Sequence, residues 1–255
     1  MKRVLPIVVA AALFLISCSP GKIEDTTEPV AAIQGEPSPI LEEELEAPEP
    51  TSTAFPEAPE VLTPIVETEV IDVNWFVDSH GLNFFGLVKN TGNVDLEFVT
   101  VTLFLRDSDG MQIGSQFGLS SLRVLSVDQI SPFWLNLKAD PDLWEIYEIT
   151  VEAKQARLFS PYKNIDVINA DGKIPADGAY EIMGELKNTG GQNAKNVEVI
   201  GILFDQDGHI IGTKSAKSDA DRLTPGTSSM FTLMFSTIGE GEVASFEIIV
   251  FSEEV

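Results

Sequence analysis

Two Asp-x-Asp-Gly segments carry the residues whose types and spacing most readily suggest chemistry. Carboxylates at alternate positions before a glycine begin a calcium-binding loop of the EF-hand type. The candidate ligands are Asp107, Asp109, Asp205 and Asp207. Gly118 and Ala216 occupy the twelfth positions, where such a loop needs a bidentate glutamate. We therefore favour a hairpin turn in which the first Asp caps its own backbone and Gly takes a positive φ.

Residues for acid-base or nucleophilic catalysis are sparse. His80 and His209 are the only histidines in the sequence, and each falls in a predicted turn. A Gly-x-Ser-x-Gly segment and a His-Glu-x-x-His segment are both absent. Paired carboxylates could hydrolyse glycosides, but they need a cleft that small sandwiches rarely offer. The histidines are interpreted as surface turn residues, and no cofactor is expected.

Three tryptophans, Trp75, Trp134 and Trp144, lie in the first half of the region after the proline-rich segment. They could pack in a hydrophobic core or form a platform for carbohydrate. Core packing is the favoured interpretation, and a pair of exposed indoles would favour the platform instead.

The N-terminus predicts a different kind of chemistry at Cys18. Two basic residues precede an apolar run over 4–16, which is short for a ~30 Å hydrocarbon core and is typical of a secretory signal. The run ends in Leu15-Ile16-Ser17-Cys18, which resembles the lipobox of bacterial lipoproteins. That resemblance implies a signal peptide over 1–17 and a diacylglyceryl group on Cys18. An ordinary secreted protein and an uncleaved anchor are the alternatives.

The charge of the chain excludes whole classes of partner. Sixteen basic and 40 acidic residues give a formal net charge of −24. Nucleic acid is excluded as a partner because phosphate contacts need Lys and Arg, and an anionic lipid surface would repel the chain. Membrane attachment must then come from acyl chains on Cys18, since two or more chains anchor stably. Ser19 directly after the cysteine favours the outer membrane in a host that has two.

Residues 18–66 form a segment rich in proline and acidic residues, with apolar side chains that follow no period. Such a segment cannot bury enough surface to offset its chain entropy, so it is predicted to be a disordered stalk. The stalk would hold the rest of the chain away from a bilayer. The single cysteine, Cys18, permits no intramolecular disulfide.

The chain beyond the stalk contains one domain twice. The stretch Gly86 to Gly114 returns as Gly184 to Gly212, with Lys-Asn-Thr-Gly and Asp-x-Asp-Gly at matching places about 98 residues apart. We predict domains over 67–156 and 160–255. The joint at 158–161 is short, which predicts limited bending between them.

Each copy shows six or seven short strands with period-2 apolar patterns and no helical period. This pattern predicts an all-β fold of two tandem immunoglobulin-like β-sandwiches. The predicted strands are 69–77, 82–89, 98–105, 111–119, 133–137 and 144–151 in the first copy, and 163–167, 179–187, 196–204, 210–214, 229–235 and 245–251 in the second.

The two copies resemble the FxLYD family of bacterial envelope domains. The resemblance lies in the Asn-Thr-Gly segment, in the strands ending Leu103-Phe104-Leu105-Arg106-Asp107 and Ile202-Leu203-Phe204-Asp205, and in Leu223-Thr224-Pro225-Gly226. At the last site the first copy has Leu125-Ser126-Val127-Asp128, which predicts a weaker turn. The resemblance implies an immunoglobulin-like sandwich on a secreted or lipid-anchored protein, and it implies no established chemistry.

The function predicted from the sequence is that of an extracytoplasmic lipoprotein. It is anchored to the cell membrane by lipid, and its two domains act as a non-catalytic binding or spacing module for an envelope protein or polymer. One alternative is an accessory or hydrolytic envelope enzyme with a site between the domains. Another is a calcium-stiffened adhesion module.

Overall fold

The computed structural model describes residues 63–174 and 178–255, and within these ranges the protein is all-β. The predicted signal peptide, Cys18 and nearly all of the predicted stalk lie outside the described residues. No helix among the described residues has the length and apolar character to cross a membrane.

The described chain forms two successive sets of seven strands. Sandwich 1 contains β1 (Thr68–Asp78), β2 (Gly81–Asn90), β3 (Leu96–Arg106), β4 (Gln112–Leu119), β5 (Val124–Leu125), β6 (Ile130–Leu137) and β7 (Ile146–Gln155). Sandwich 2 contains β8 (Ile165–Lys173), β9 (Tyr180–Asn188), β10 (Ala194–Phe204), β11 (Ile210–Lys217), β12 (Arg222–Leu223), β13 (Ser228–Phe235) and β14 (Ser245–Glu254).

The strands pair in the same antiparallel order in both sandwiches. In sandwich 1, β2 lies between β1 and β6, while β3 pairs with β4 and β5 on one side and with β7 on the other. Sandwich 2 repeats this order with β9 and β10 as its central strands. Over the described residues, each copy therefore consists of two antiparallel sheets without a helix, which confirms the predicted all-β class of two tandem immunoglobulin-like sandwiches.

Irregularities of the backbone also repeat. Strand β4 carries an extra residue, Ile113, opposite Leu105 and Arg106 of β3. Strand β11 carries an extra residue, Ile211, opposite Leu203 and Phe204 of β10. Near the start of β3 and β10 the chain takes a positive φ at Phe98 (54°) and Asn196 (50°). Phe98 and Asn196 have different side chains and still share this conformation, so the two copies follow the same backbone path.

Some strand bounds differ from the prediction. The short strands β5 and β12 were not predicted, since two residues carry no readable period. Strand β8 continues to Lys173, well past the predicted end at residue 167, because its polar second half is held by pairing with β9. Strand β7 begins at Ile146, and Trp144 precedes it.

The repeated Asn of Lys-Asn-Thr-Gly has a structural role in each copy. The Asn90 amide nitrogen donates to the carbonyls of Val94 and Leu125 at 2.8 and 3.0 Å, and its oxygen accepts from Gly92 N–H at 3.0 Å. Asn188 makes the equivalent bonds and also accepts from the Tyr162 hydroxyl at 3.0 Å. Both side chains are fully buried, so this amide fixes the chain between the two sheets of its sandwich.

Gly86 and Gly184 are needed because an aromatic ring lies over each of them. Gly86 pairs with Phe133 in β6, and Gly184 pairs with Phe231 in β13. A Cβ at either glycine would overlap the partner ring and a backbone carbonyl of the neighbouring strand. The absence of a Cβ at Gly86 and Gly184 therefore leaves room for the buried phenylalanine ring to pack directly against the backbone of the strand.

The turn before β6 has the same geometry as the turn before β13. Asp128 takes φ 63°, and Gly226 at the same place in sandwich 2 takes φ 78°. The Asp128 N–H donates to the Asn90 carbonyl at 3.1 Å, as Gly226 N–H does to the Asn188 carbonyl at 2.8 Å. Asp128 therefore adopts the same left-handed geometry as Gly226 and keeps the same hydrogen bond, and the lower strength of the first turn stays a prediction.

The two sandwiches are packed against each other through one sheet of each. Phe76, Phe85 and Leu87 point outward from the β1-β2-β6 sheet and form a buried cluster with Ile202 and Ile210 of sandwich 2. Strand β11 lies across β1, β2 and β6. We call these surfaces the contact faces: the outer side of β1-β2-β6 in sandwich 1 and the outer side of β11-β10-β14 in sandwich 2.

The joint between the sandwiches is held at both ends. Glu97 is buried, and its carboxylate accepts from the N–H groups of Arg157 and Leu158 at 3.2 and 3.0 Å. Pro161 forms a bridge with Glu253 at the end of β14. These contacts, together with the shared apolar cluster, oppose bending at the joint.

Candidate binding groove between the two sandwiches

The Asp-x-Asp-Gly segments form hairpin turns whose leading carboxylates bond to their own backbone. Asp107 Oδ1 accepts from Asp109 N–H at 3.0 Å and from Met111 N–H at 2.9 Å. Asp205 Oδ1 accepts from Asp207 and His209 N–H, both at 2.9 Å. Within residues 63–174 and 178–255, no three His, Cys, Asp or Glu side chains are grouped as a metal site requires.

His80 lies in the turn between β1 and β2. Its Nδ1 faces both Ser79 Oγ and Asp78 Oδ2 at 3.4 Å, and the ring is exposed. A hydrolytic triad needs the serine on one ring nitrogen and the carboxylate on the other. Because both groups approach the same nitrogen, this set cannot pass a proton from serine through the imidazole to the carboxylate.

His209 lies in the turn before β11 and contacts the other sandwich. Its Nδ1 is 3.1 Å from Asp72 Oδ1, and Ile210 N–H donates to Asp72 Oδ2 at 2.8 Å. The hydrogen bond and charge of Asp72 raise the pKa of His209 above its usual value. This histidine therefore takes part in the contact between sandwiches.

The three tryptophans have two different environments. Trp75 and Trp144 pack edge to face at 4.9 Å in the core of sandwich 1, with Trp144 fully buried. Trp134 is 48% exposed on β6 and lies beside the ring of Phe85 at 6.3 Å. The core interpretation is right for two of the three, and the structure leaves a single indole at the surface.

Trp134 is held in a fixed position by its neighbours. Its Nε1 donates to Asn83 Oδ1 at 3.0 Å, and the Asn136 amide donates to the same oxygen at 3.0 Å. Asn83 is buried beneath them. A half-exposed indole that is fixed in this way presents a preformed apolar surface.

Trp134 stands on one wall of a groove between the sandwiches. The groove has a volume of ≈ 290 Å³, at the lower end of the ~300–1,000 Å³ range of small-molecule sites. Its lining residues are Phe85, Leu119, Ser121, Trp134, Thr213, Lys214, Ser215, Ser236 and Thr237. One wall is largely apolar and comes from sandwich 1, and the other carries hydroxyl groups and comes from sandwich 2.

Most of the hydroxyls in the groove have no partner among the described residues. Thr213 Oγ1 donates to the Gly201 carbonyl at 3.1 Å. In the part of the chain that the structure describes, the side chains of Ser121, Ser215, Ser236 and Thr237 make no hydrogen bond. Each of these hydroxyls can both donate and accept, so the wall can bind a ligand that does the same.

Lys214 is the single ionisable residue of the groove lining. It is exposed and forms no ion pair with any described residue. The lining holds no carboxylate, imidazole or thiol, so Lys214 is the one lining group that could accept a proton from a serine. The remaining lining groups offer a ligand hydroxyls and apolar surface.

The groove residues were missed in the sequence, apart from Trp134. Thr213, Ser215 and Ser236 form no motif, and they reach Trp134 only because the contact faces pack together. The alternation of β11, with Thr213 and Ser215 on the same side, would have shown that they share a face. Nothing in the sequence indicates which surface lies opposite that face.

The fold and the groove define an all-β protein of two packed sandwiches. No family model and no curated protein matches the sequence. Among solved structures, a crystal structure of red sea bream transglutaminase matches with a TM-score of 0.24 and 10% identity. The match covers 73% of this chain and 29% of that chain, so this chain spans less than a third of that enzyme. A TM-score this low supports no statement about the activity of this protein.

Proposed function

We propose that the protein is a lipid-anchored, extracytoplasmic lipoprotein whose two sandwiches act together as a non-catalytic binding and spacing module. The lipid is attached to Cys18, and residues 18–66 form the stalk. The FxLYD-like character of both copies belongs to the same proposal. The module binds an envelope component in the groove between the sandwiches.

The observation that carries the proposal is the position of Cys18. It is the single cysteine of the chain, and it directly follows a basic and apolar leader that ends in Leu-Ile-Ser. A net charge of −24 supplies no electrostatic attraction to an anionic bilayer, so stable attachment must depend on acyl chains.

The paired sandwiches support the binding part of the proposal. Their contact faces bury Phe85 and Ile202 together, so the two walls of the groove are held at a fixed separation. A preformed site loses little conformational freedom when a ligand enters. The groove also offers hydroxyl groups and one lysine, which can form hydrogen bonds with a ligand.

Metabolic labelling with palmitate tests the anchor. The wild-type chain should take up the label and sediment with membranes, whereas Cys18→Ser should do neither. Ser19→Asp serves as the matched control, because it changes the next residue and leaves the acylated sulfur in place. Label or membrane attachment that persists in Cys18→Ser would overturn the proposal.

A further inference from the structure

We propose that the groove between the sandwiches binds a neutral, hydroxyl-rich polysaccharide, with one sugar ring stacked on Trp134. This inference rests on the proposed function, since it names the ligand of the same groove. It is carried by the fixed indole, the free hydroxyls opposite it, and the charge of the lining.

The indole supplies the apolar half of the site. A sugar ring presents a face of C–H groups, whose slight positive charge suits the electron-rich face of an aromatic ring. Trp134 is exposed, and its Nε1 donates a hydrogen bond to the buried Asn83. The position of the ring is therefore set before a ligand arrives.

The opposite wall supplies the polar half. Sugar hydroxyls donate and accept, and so do the unbonded hydroxyls of Ser215, Ser236 and Thr237. An extended peptide would instead pair its N–H and carbonyl groups with the edge of β11, and the peptide probe in the test below distinguishes that outcome.

The charge of the protein favours a neutral polymer over an anionic or a cationic ligand. The chain carries −24 overall, which repels a polyanion such as a polyuronate. Lys214 stands in the groove without a carboxylate beside it, so a cationic ligand gains no local attraction. Lys214 can still donate to ring or hydroxyl oxygens of a neutral sugar.

The size of the groove fixes how much of the polymer it holds. A volume of ≈ 290 Å³ suits one ring inside, with the chain continuing over the open ends. We expect binding to strengthen with oligosaccharide length until the groove and its rim are covered.

The test uses the full chain, purified in a detergent without a sugar headgroup, and isothermal titration calorimetry. The probes are neutral hexasaccharides (β-linked glucose, α-linked glucose, β-linked N-acetylglucosamine), a hexa-galacturonate, and a neutral Ser/Thr-rich peptide. At least one neutral hexasaccharide should bind, with an affinity that does not change with salt. The assignment would be overturned if no neutral saccharide gave a binding signal, if the galacturonate bound more tightly than every neutral saccharide, or if the peptide alone bound.

Variants locate the binding. Trp134→Ala should weaken the bound saccharide at least tenfold and Trp134→Phe should restore part of the affinity. Phe117→Ala is the matched control, because Phe117 is 70% exposed on β4 and does not line the groove. Lys214→Gln should weaken binding severalfold, whereas Lys217→Gln on the same strand should not. Equal affinities of Trp134→Ala and the wild type would overturn the site.

The two proposals fail separately. If Cys18→Ser loses its lipid and no neutral saccharide binds, the ligand class is wrong and the lipoprotein stands. If Cys18→Ser keeps its lipid, the lipoprotein proposal is wrong, independent of the result for saccharide binding. Recovery of shortened oligosaccharide after incubation would contradict the non-catalytic part of the proposed function.

Discussion

Strands β2 and β9 hold the same place in the two sandwiches and differ in what covers them. Every residue from Leu82 to Val88 in β2 is buried, whereas β9 alternates between buried and uncovered positions. The third strands show the reverse: β10 is buried throughout from Val199 to Leu203, while β3 alternates over the matching stretch. Each sandwich thus has one sheet with two covered sides, and it is a different sheet in each copy.

Inward and outward residues have therefore diverged to different degrees. The inward pairs Gly86 with Phe133 and Gly184 with Phe231 are the same in both copies. Outward, Phe85 and Leu87 of the contact face correspond to Met183 and Glu185 on the free face of sandwich 2. The inward-facing residues are shared and specify the same fold in both copies. The outward-facing residues differ and determine which face of each sandwich is packed against the other.

Removing a large side chain from the contact face should produce the largest effect. Phe85→Ala leaves a cavity between the sandwiches and should lower the free energy of unfolding by about 3–5 kcal/mol. Met183→Ala at the matching exposed position should change it by less than about 0.5 kcal/mol. Urea unfolding followed by circular dichroism measures both, and equal losses would contradict the assignment of the contact face.

Removing the buried asparagine should destabilise both sandwiches by similar amounts, because Asn90 and Asn188 make equivalent hydrogen bonds. Asn90→Ala leaves the carbonyls of Val94 and Leu125 without a donor, and should lower the unfolding free energy by about 2–3 kcal/mol. Asn188→Ala should lose slightly more, because the Tyr162 hydroxyl also loses its acceptor. The same urea titration checks this order, and a small loss in either variant would argue against the role of that amide.

Substitutions at the turn residues Asp128 and Gly226 should change stability less than the substitutions above, and the two should act in opposite directions. Asp128→Gly should stabilise the protein by up to about 1 kcal/mol, since glycine adopts φ 63° without strain. Gly226→Asp should destabilise it by about 1 kcal/mol. Thermal unfolding of the two variants measures the difference, and destabilisation by Asp128→Gly would show that its exposed contact with Lys89 matters more than backbone strain.

The smallest expected effect is a pH dependence of the contact between sandwiches. The pKa of His209 is raised in the folded protein, so its contribution is full below the unfolded pKa of about 6.5 and is lost as pH rises through the folded value. His209 is 60% exposed, so the loss between pH 6 and pH 8 should stay below about 1 kcal/mol. Asp72→Asn should flatten this slope in urea titrations, and an unchanged slope in that variant would contradict the role of the contact.

The inner half of the structure could be predicted because local patterns encode it. Period-2 alternation and the duplicated landmarks predict both sandwiches, and the Asp-x-Asp-Gly spacing predicts the hairpins at Asp107 and Asp205. The polar end of β8 and the two-residue strands β5 and β12 were missed, because pairing with neighbours determines them.

The outer half could not be predicted, because it depends on which surfaces meet. Nothing in the sequence pairs Phe85 with Ile202, or brings Ser215 opposite Trp134. Trp134 was interpreted with the core tryptophans, since one residue type does not distinguish the two sides of a strand. The isolated Glu97 gave no sign that it caps the joint.

Strand β1 has a mechanical consequence for the folded part of the protein. It is the first strand of the described chain, it pairs with β2 over its length, and Asp72 and Phe76 attach it to sandwich 2. A pulling force that enters through residue 63 must therefore separate β1 from two neighbours at once. Tension applied at the N-terminal end is shared by both sandwiches, which would let them resist shear as one unit.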